Sequence, residues 1–129
     1  MTTTTVALYC RLSPRPDGTY EGVDRQEAWG RAYAARTWPD LPVTVYADTG
    51  VSALDSRPGY DRLQEAITAG TIAHVWAVEQ TRLERDEVGW FQLAYLLTAA
   101  GIEAVHTERD GIVRLDEVGG IKAVIAAAE

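Results

Sequence analysis

The chain has 129 residues, 47% of them hydrophobic, and a formal net charge of −7, which bounds it to one domain with a single core. No apolar run reaches the roughly 20 residues needed to cross a bilayer, and Met1-Thr2-Thr3-Thr4-Thr5 lacks the basic and apolar regions of a signal peptide. A single cysteine, Cys10, cannot form an internal disulfide, so a reducing cytoplasm is expected and Cys10 is read as a small core residue.

The acidic balance taken alone speaks against a stand-alone nucleic-acid binder, because phosphate contacts need cations. The basic residues are unusual in kind, however: 12 in all, with Lys122 the only lysine. Arginine offers a planar fork suited to bidentate phosphate contacts. GC-rich coding, which also inflates alanine, explains the same bias, so the positions of the arginines must decide.

Residues 5–12 carry β-branched and aromatic side chains and predict a strand. Residues 13–22 hold two prolines and two glycines and predict a loop. Residues 23–36 predict a helix with Ala28, Ala32 and Ala35, flanked by Trp29 and Tyr33, on its apolar face. Residues 42–47 form a second strand, followed by a loop of small residues from Asp48. Pro58 opens a second helix whose buried stripe is Tyr60, Leu63, Ala66 and Ile67, with Gly70 as its stop.

Residues 72–78 are apolar enough for a central strand. Residues 79–85 are a charged connection. Asp86 caps a third helix that runs to about Ala100 and stops at Gly101. Residues 102–106 form a fourth strand and residues 107–115 a polar loop. A last helix starts near Asp116, with Val118, Ile121, Val124 and Ile125 on one side. It reaches Glu129 without a stop signal, so a chain cut within a longer protein is expected.

This alternation predicts an α/β fold: a three-layer arrangement with a mostly parallel central sheet of four or five strands and helices on both faces. Sites in such sheets lie beyond the carboxyl ends of the strands. That rule gathers the loops after the first three strands on one rim, with Ser13, Asp48, Arg82 and Arg85 among their residues.

In Tyr9-Cys10-Arg11-Leu12-Ser13, strand alternation sets Tyr9, Arg11 and Ser13 on one face. A ring, a guanidinium and a hydroxyl are then expected together at a loop mouth. An ordinary loop serine is the commoner reading of such a residue. Arginines converging on the same rim change it, because they would stabilise the charge that develops when an oxygen attacks a phosphodiester. Arg82 and Arg85 point the same way if their segment is a helical turn. Surface pairing with Glu79, Glu84 or Asp86 is the plainer alternative for both, and for Arg57. His74 and His106 read as structural. The chain carries no Walker loop, metal-ligand spacing or calcium-loop pattern, so neither a metal nor a nucleotide cofactor is expected.

These residues resemble the catalytic domain of the serine recombinases, the group that includes resolvases, invertases and large serine integrases. Tyr9-x-Arg11-x-Ser13 matches the nucleophile motif of that family. Gln26 is similar to the glutamine at the start of its first helix. Asp48-Thr49-Gly50-Val51-Ser52-Ala53 and Arg57-Pro58-Gly59-Tyr60 resemble its second motif, and Arg82-Leu83-Glu84-Arg85 its third. Glu129 matches a glutamate at the start of the long helix that follows. The four ordered motifs span nearly the whole chain, and the long loop after Ser13 is most like that of large integrases.

The resemblance implies a resolvase-like fold and site-specific recombination through a 5′-phosphoserine intermediate. Ser13 would be the nucleophile, with Arg11, Arg82, Arg85 and Arg57 as phosphate ligands. Gln26 and Asp48 would orient the site, and Tyr9, Thr81 and Glu129 would support it. Residues 1–129 would be the N-terminal catalytic domain, ending before the interdomain helix and DNA-binding regions. The implied partners are a double-stranded DNA attachment site and further copies of the chain, in a bacterial or phage-encoded protein working at the nucleoid.

One departure stands out: Thr81 occupies the position where the third motif usually has aspartate. Its role would then pass to Glu79, Glu84 or Asp48, or be lost. A degenerate module that only oligomerises, and a phosphatase or nuclease that passes the phosphate to water, remain the alternatives at this level.

Overall fold

Strand β1 (Thr5–Arg11) is buried along its length from Val6 onward. Its burial follows from its place, with a strand on each side and a helical layer on each face. The computed structural model describes residues 4–14, 20–49 and 56–117. After β1 come a two-residue ladder of β2 (Ser13–Pro14) and β3 (Tyr20–Glu21), then α1 (Val23–Thr37), β4 (Val43–Asp48) and α2 (Pro58–Thr68). Next are β5 (Ile72–Ala77), the single turn α3 (Gln80–Leu83), α4 (Glu87–Ala99), β6 (Ala104–Thr107) and β7 (Ile112–Arg114), closed by a 3-10 turn at Leu115–Glu117. The last helix expected from near Asp116 lies, beyond that turn, outside the described residues.

The main sheet has the order β4-β1-β5-β6-β7. Its first four strands are parallel and β7 is antiparallel to β6. The chain moves from β1 to β4 on one side, then returns past β1 to β5 on the other. Right-handed crossovers therefore send α1 to one face and α2 and α4 to the other. The packing follows. Val6, Leu8, Trp76 and Val78 pack with Ala34, Trp29 and Tyr33 of α1. Ala7, Tyr9, Val75 and Ala77 pack with Leu63 and Ile67 of α2 and Leu93 and Leu97 of α4. Alternation along one strand thus feeds two cores.

The predicted elements agree with these within a residue or two, with four differences. The expected loop 13–22 contains the short β2–β3 ladder. The polar stretch 107–115 contains β7, an edge strand of three residues, too short to show a period. The charged connection 79–85 contains α3. The inward face of α1 is Gln26, Gly30 and Ala34, while Ala28, Ala32 and Ala35 are exposed. Gly30 lies against Trp76, where an added Cβ would stand 2.7 Å from the indole. Space for that ring selects the face, and an alanine count does not report it. Gly70 and Gly101, the expected helix stops, both have left-handed backbone, with φ of 77° and 83°. No helix among the described residues is long and apolar enough to cross a membrane.

Candidate functional site

In a sheet of this order the strand sequence reverses between β1 and β5, and a crevice opens beyond their carboxyl ends. Arg11 ends β1 there. Odd-numbered residues of β1 direct their backbone groups toward β5 and even ones toward β4, as in Thr5 N–H to Thr71 O, Val6 N–H to Pro42 O and Leu12 N–H to Asp48 O. Pairing with β5 stops at Tyr9↔Ala77, so Arg11 has no strand partner on that side. Gln26 replaces it. Its Oε1 accepts from Arg11 N–H at 3.1 Å and its Nε2 donates to Arg11 O at 2.8 Å. The amide is wholly buried and works as one more rung of the sheet. It holds the backbone two residues before Ser13.

Asp48 ends β4 and is paired in register with Arg11. Its carboxylate accepts from Gly59 N–H at 2.8 Å, Tyr60 N–H at 2.9 Å and the Tyr9 hydroxyl at 2.6 Å. It therefore caps α2 from a distant strand, where the positive end of the helix dipole favours it. Gly59 permits the approach, since a Cβ there would meet Ala47 O at 2.5 Å.

Tyr9 is fully buried, which corrects the expectation of a ring displayed at the loop mouth. Both sheet faces are covered at this point, so alternation chooses between two interiors. Its hydroxyl takes hydrogen bonds from Arg57 Nε and Nη2 at 3.2 and 3.1 Å. Burial, then the bond to Asp48, push its ionisation well above the usual tyrosine range. Cys10 faces the α1 side, its thiol pushed up to about 12 by burial and then by Glu27, and is a core residue as expected.

The arginines differ from one another. Arg57 lies over the Tyr60 ring at 3.9 Å and the Tyr9 ring at 5.3 Å. Its Nη2 donates to Arg82 O and Leu83 O at 3.0 and 2.8 Å, closing the carboxyl end of α3. Much of its donor capacity therefore ties three elements together. Arg82 is buried and paired with Glu79 at 2.8 Å. Arg85 is exposed. The two do not share a helical face, because α3 ends at Leu83 and Glu84 is extended.

Arg11 is buried, donates from Nη2 to Thr81 O at 2.9 Å, and leaves its buried Nε without a hydrogen-bond partner among the described residues. Burial lowers its pKa, and the positive charges of Arg57, Arg85 and Arg82 lower it further. Arg11 thus meets the charges of three further guanidinium groups at the end of β1, within an acidic chain. Thr81 offers this cluster its backbone carbonyl, and its side chain is exposed.

Ser13 is placed by its backbone, paired with Glu21 across the β2–β3 ladder. Residues 50–55 of the second motif and Glu129 lie outside the described residues. Sequence reasoning missed Tyr60, which it counted as core. The signal was present in Arg57-Pro58-Gly59-Tyr60, where a ring three residues from an arginine can stack on it. The histidines form a separate group on the α1 face, with Trp38 stacked on His74 at 4.3 Å and Tyr33 Oη 2.7 Å from His106 Nδ1. Burial lowers both pKa values.

Comparison with solved structures finds the same fold in the N-terminal catalytic domain of TP901-1 integrase, with 24% identity, a TM-score of 0.69, and coverage of 97% of this chain and 92% of that one. A resolvase family site-specific recombinase from Streptococcus pneumoniae has 20% identity and a TM-score of 0.69 over 98% and 88% of the two chains. The C-terminal catalytic domain of ISC1926 TnpA, an IS607-like serine recombinase, has 23% identity and a TM-score of 0.64 over 81% and 70%. No curated protein matches the sequence. The family model described as resolvase, N-terminal domain, matches residues 6–128, and the chain belongs to that family.

Proposed function

We propose that this chain is the DNA-cleaving domain of a site-specific serine recombinase, with Ser13 as its nucleophile. The observation that carries the reading is the meeting of arginines at the end of β1, two residues before Ser13: Arg11 Nη2 donates to Thr81 O and Arg57 Nη2 to Arg82 O, with Arg85 near enough for its charge to act on Arg11. Membership of the resolvase family supports it, as do neighbours named as integrase and recombinase catalytic domains.

The Ser13 oxygen attacks a backbone phosphorus of double-stranded DNA. A serine–phosphate bond forms, the phosphorus–O3′ bond breaks, and the 3′ oxygen leaves as a hydroxyl. This is covalent catalysis by transesterification. Rejoining reverses it, and the phosphodiester energy is retained throughout. Arg11 and Arg85 contact the phosphate, and Arg82 does so when its pairing with Glu79 opens. Arg57 braces the cluster. Such fixed cations stabilise charge that grows in the transition state. Gln26 and Asp48 act as positioning residues, through the backbone of Arg11 and the start of α2. The working assembly contains further copies of the chain on its DNA site.

The test uses a pool of randomised duplexes incubated with the protein and then denatured. Wild type should retain DNA covalently through a 5′ phosphate and release free 3′-hydroxyl ends, and Ser13→Ala should retain none. An adduct that persists in Ser13→Ala sinks the assignment. The Arg82–Glu79 pair and the braced Arg57 favour a second reading, a catalytically silent oligomerisation module. That reading predicts assembly on DNA without any adduct.

A further inference from the structure

Thr81 leaves the third motif without its usual acid, and Glu79, Glu84 and Asp48 are the carboxylates that the sequence offers in its place. The structure separates them. Asp48 is held by three donors, with Oδ1 on Gly59 N–H and Oδ2 on Tyr60 N–H and the Tyr9 hydroxyl. Glu79 is engaged by Arg82 at 2.8 Å and by Arg109 at 3.5 Å. Glu84 differs from both. Its nearest cation, Arg57 Nη1, stands 3.9 Å from Oε2, beyond hydrogen-bond length. That oxygen is buried and meets no donor at hydrogen-bond geometry among the described residues, and the Tyr60 hydroxyl is the side-chain donor within reach of the carboxyl.

The surroundings of this carboxylate are shaped for it. A Cβ on Gly89 would stand 2.7 Å from Glu84 Oε1, so the glycine leaves the niche open. Thr81, Glu84, Arg85 and Trp90 line one open groove of about 400 Å³, with Asp86 and Glu87 also on its wall, so Glu84 shares this groove with Arg85 of the arginine cluster. The groups that face the carboxyl are Arg57 and Tyr60 from the start of α2, Arg11 from β1 and Asp86 before α4. Burial has the largest effect on it and raises its affinity for a proton, with Asp86 adding to the rise and Arg57, Arg11 and the Tyr60 hydroxyl opposing it.

We propose that Glu84 is the proton-transfer residue of this site, replacing the acid absent at position 81. The inference rests on the serine-recombinase reading above. As Ser13 oxygen bonds to phosphorus, its own proton passes to solvent water. As the phosphorus–O3′ bond breaks, the electron pair goes to O3′, which takes the proton of the Glu84 carboxyl and leaves a carboxylate beside Arg57. In rejoining, that carboxylate takes the proton of the attacking 3′ hydroxyl, and the serine oxygen is reprotonated from water. A general acid of this kind contributes about 10²–10⁴-fold in rate.

A duplex recovered from the randomised pool is made twice, with oxygen and with sulfur at the bridging 3′ position of the cleaved phosphate. A thiolate leaves without a proton, so the sulfur substrate makes a leaving-group acid unnecessary. Glu84→Gln is expected to slow adduct formation on the oxygen substrate by about 10²-fold or more and to match wild type on the sulfur substrate. Glu84→Asp should recover part of the oxygen rate with a shifted pH profile. Equal slowing on both substrates, or no slowing on either, overturns the proposal and leaves the role of Ser13 intact. Failure of wild type to form any adduct overturns the reading beneath it.

Discussion

Gln26 anchors the backbone at the end of β1, and Glu84 is the partly buried acid beside Arg57. The Gln26 amide satisfies a buried N–H and a buried C=O of Arg11 that no strand reaches. Gln26→Ala leaves both unpaired, at about 1–3 kcal/mol for each group. Chemical denaturation should register that loss, and adduct formation should fall with it, since the turn toward Ser13 loses its anchor. Glu84 makes a prediction that needs no DNA. Its carboxyl holds a proton more tightly folded than unfolded, so folding is favoured at low pH and penalised as the pH rises through the folded value. Glu84→Gln should therefore raise the melting temperature at neutral pH, and the difference should vanish below the ordinary carboxyl value of 4.5. A difference that stays constant with pH contradicts this.

The elements around the site are set by their ends. Asp86 accepts from Gly89 N–H at 2.6 Å and starts α4 where the sequence expects it. Asp86→Ala should cost about 0.5–2 kcal/mol, read as a lower denaturation midpoint with unchanged slope. The start of α2 is capped across the fold by Asp48, while Arg57 just before it shows no side-chain cap of its own. Local pattern supplies Pro58 and the buried stripe of Tyr60, Leu63 and Ile67, and the cap comes from a residue 11 positions away. The single turn α3 is held by Arg57 at its carboxyl end and by Arg11 at Thr81 O. A four-residue helix has too little internal cooperativity to form alone, which is why a charged connection was all its sequence could suggest.

Across the molecule, the net charge of −7 hides a local gathering of Arg11, Arg57, Arg82 and Arg85, interleaved with Asp48, Glu79 and Glu84. The order β4-β1-β5 sets three carboxyl ends side by side and concentrates cations there. Pyrophosphate should therefore raise the melting temperature in a saturable way despite the acidic total. At a concentration one hundred times its dissociation constant the gain is about 2.7 kcal/mol. Arg85→Ala, at an exposed position, should weaken this stabilisation without lowering the melting temperature of the free protein. A pyrophosphate effect equal in wild type and variant would move the anion site away from the end of β1.

The alternation of strands and helices, the buried stripe of α2, the Asp86 cap and the stops at Gly70 and Gly101 were all legible in the sequence. Each depends on neighbours along the chain or one helical turn away, and periodicity records such contacts directly. So was the common rim of the loops after the first three strands, where Ser13, Asp48, Arg82 and Arg85 were expected, because a parallel sheet aligns its carboxyl ends. Tertiary structure alone decided that Gly30 faces the core and Ala28 does not, that Tyr9 is interior, and that Asp48 caps a helix. It also decided that Arg82 is buried while Arg85 is exposed, and that Glu84, unlike Asp48 and Glu79, has no cation or backbone donor within hydrogen-bond length of its buried oxygen. These depend on which distant groups reach the same few ångströms. Hydrogen bonding and desolvation act at that range, and spacing along the chain does not encode it.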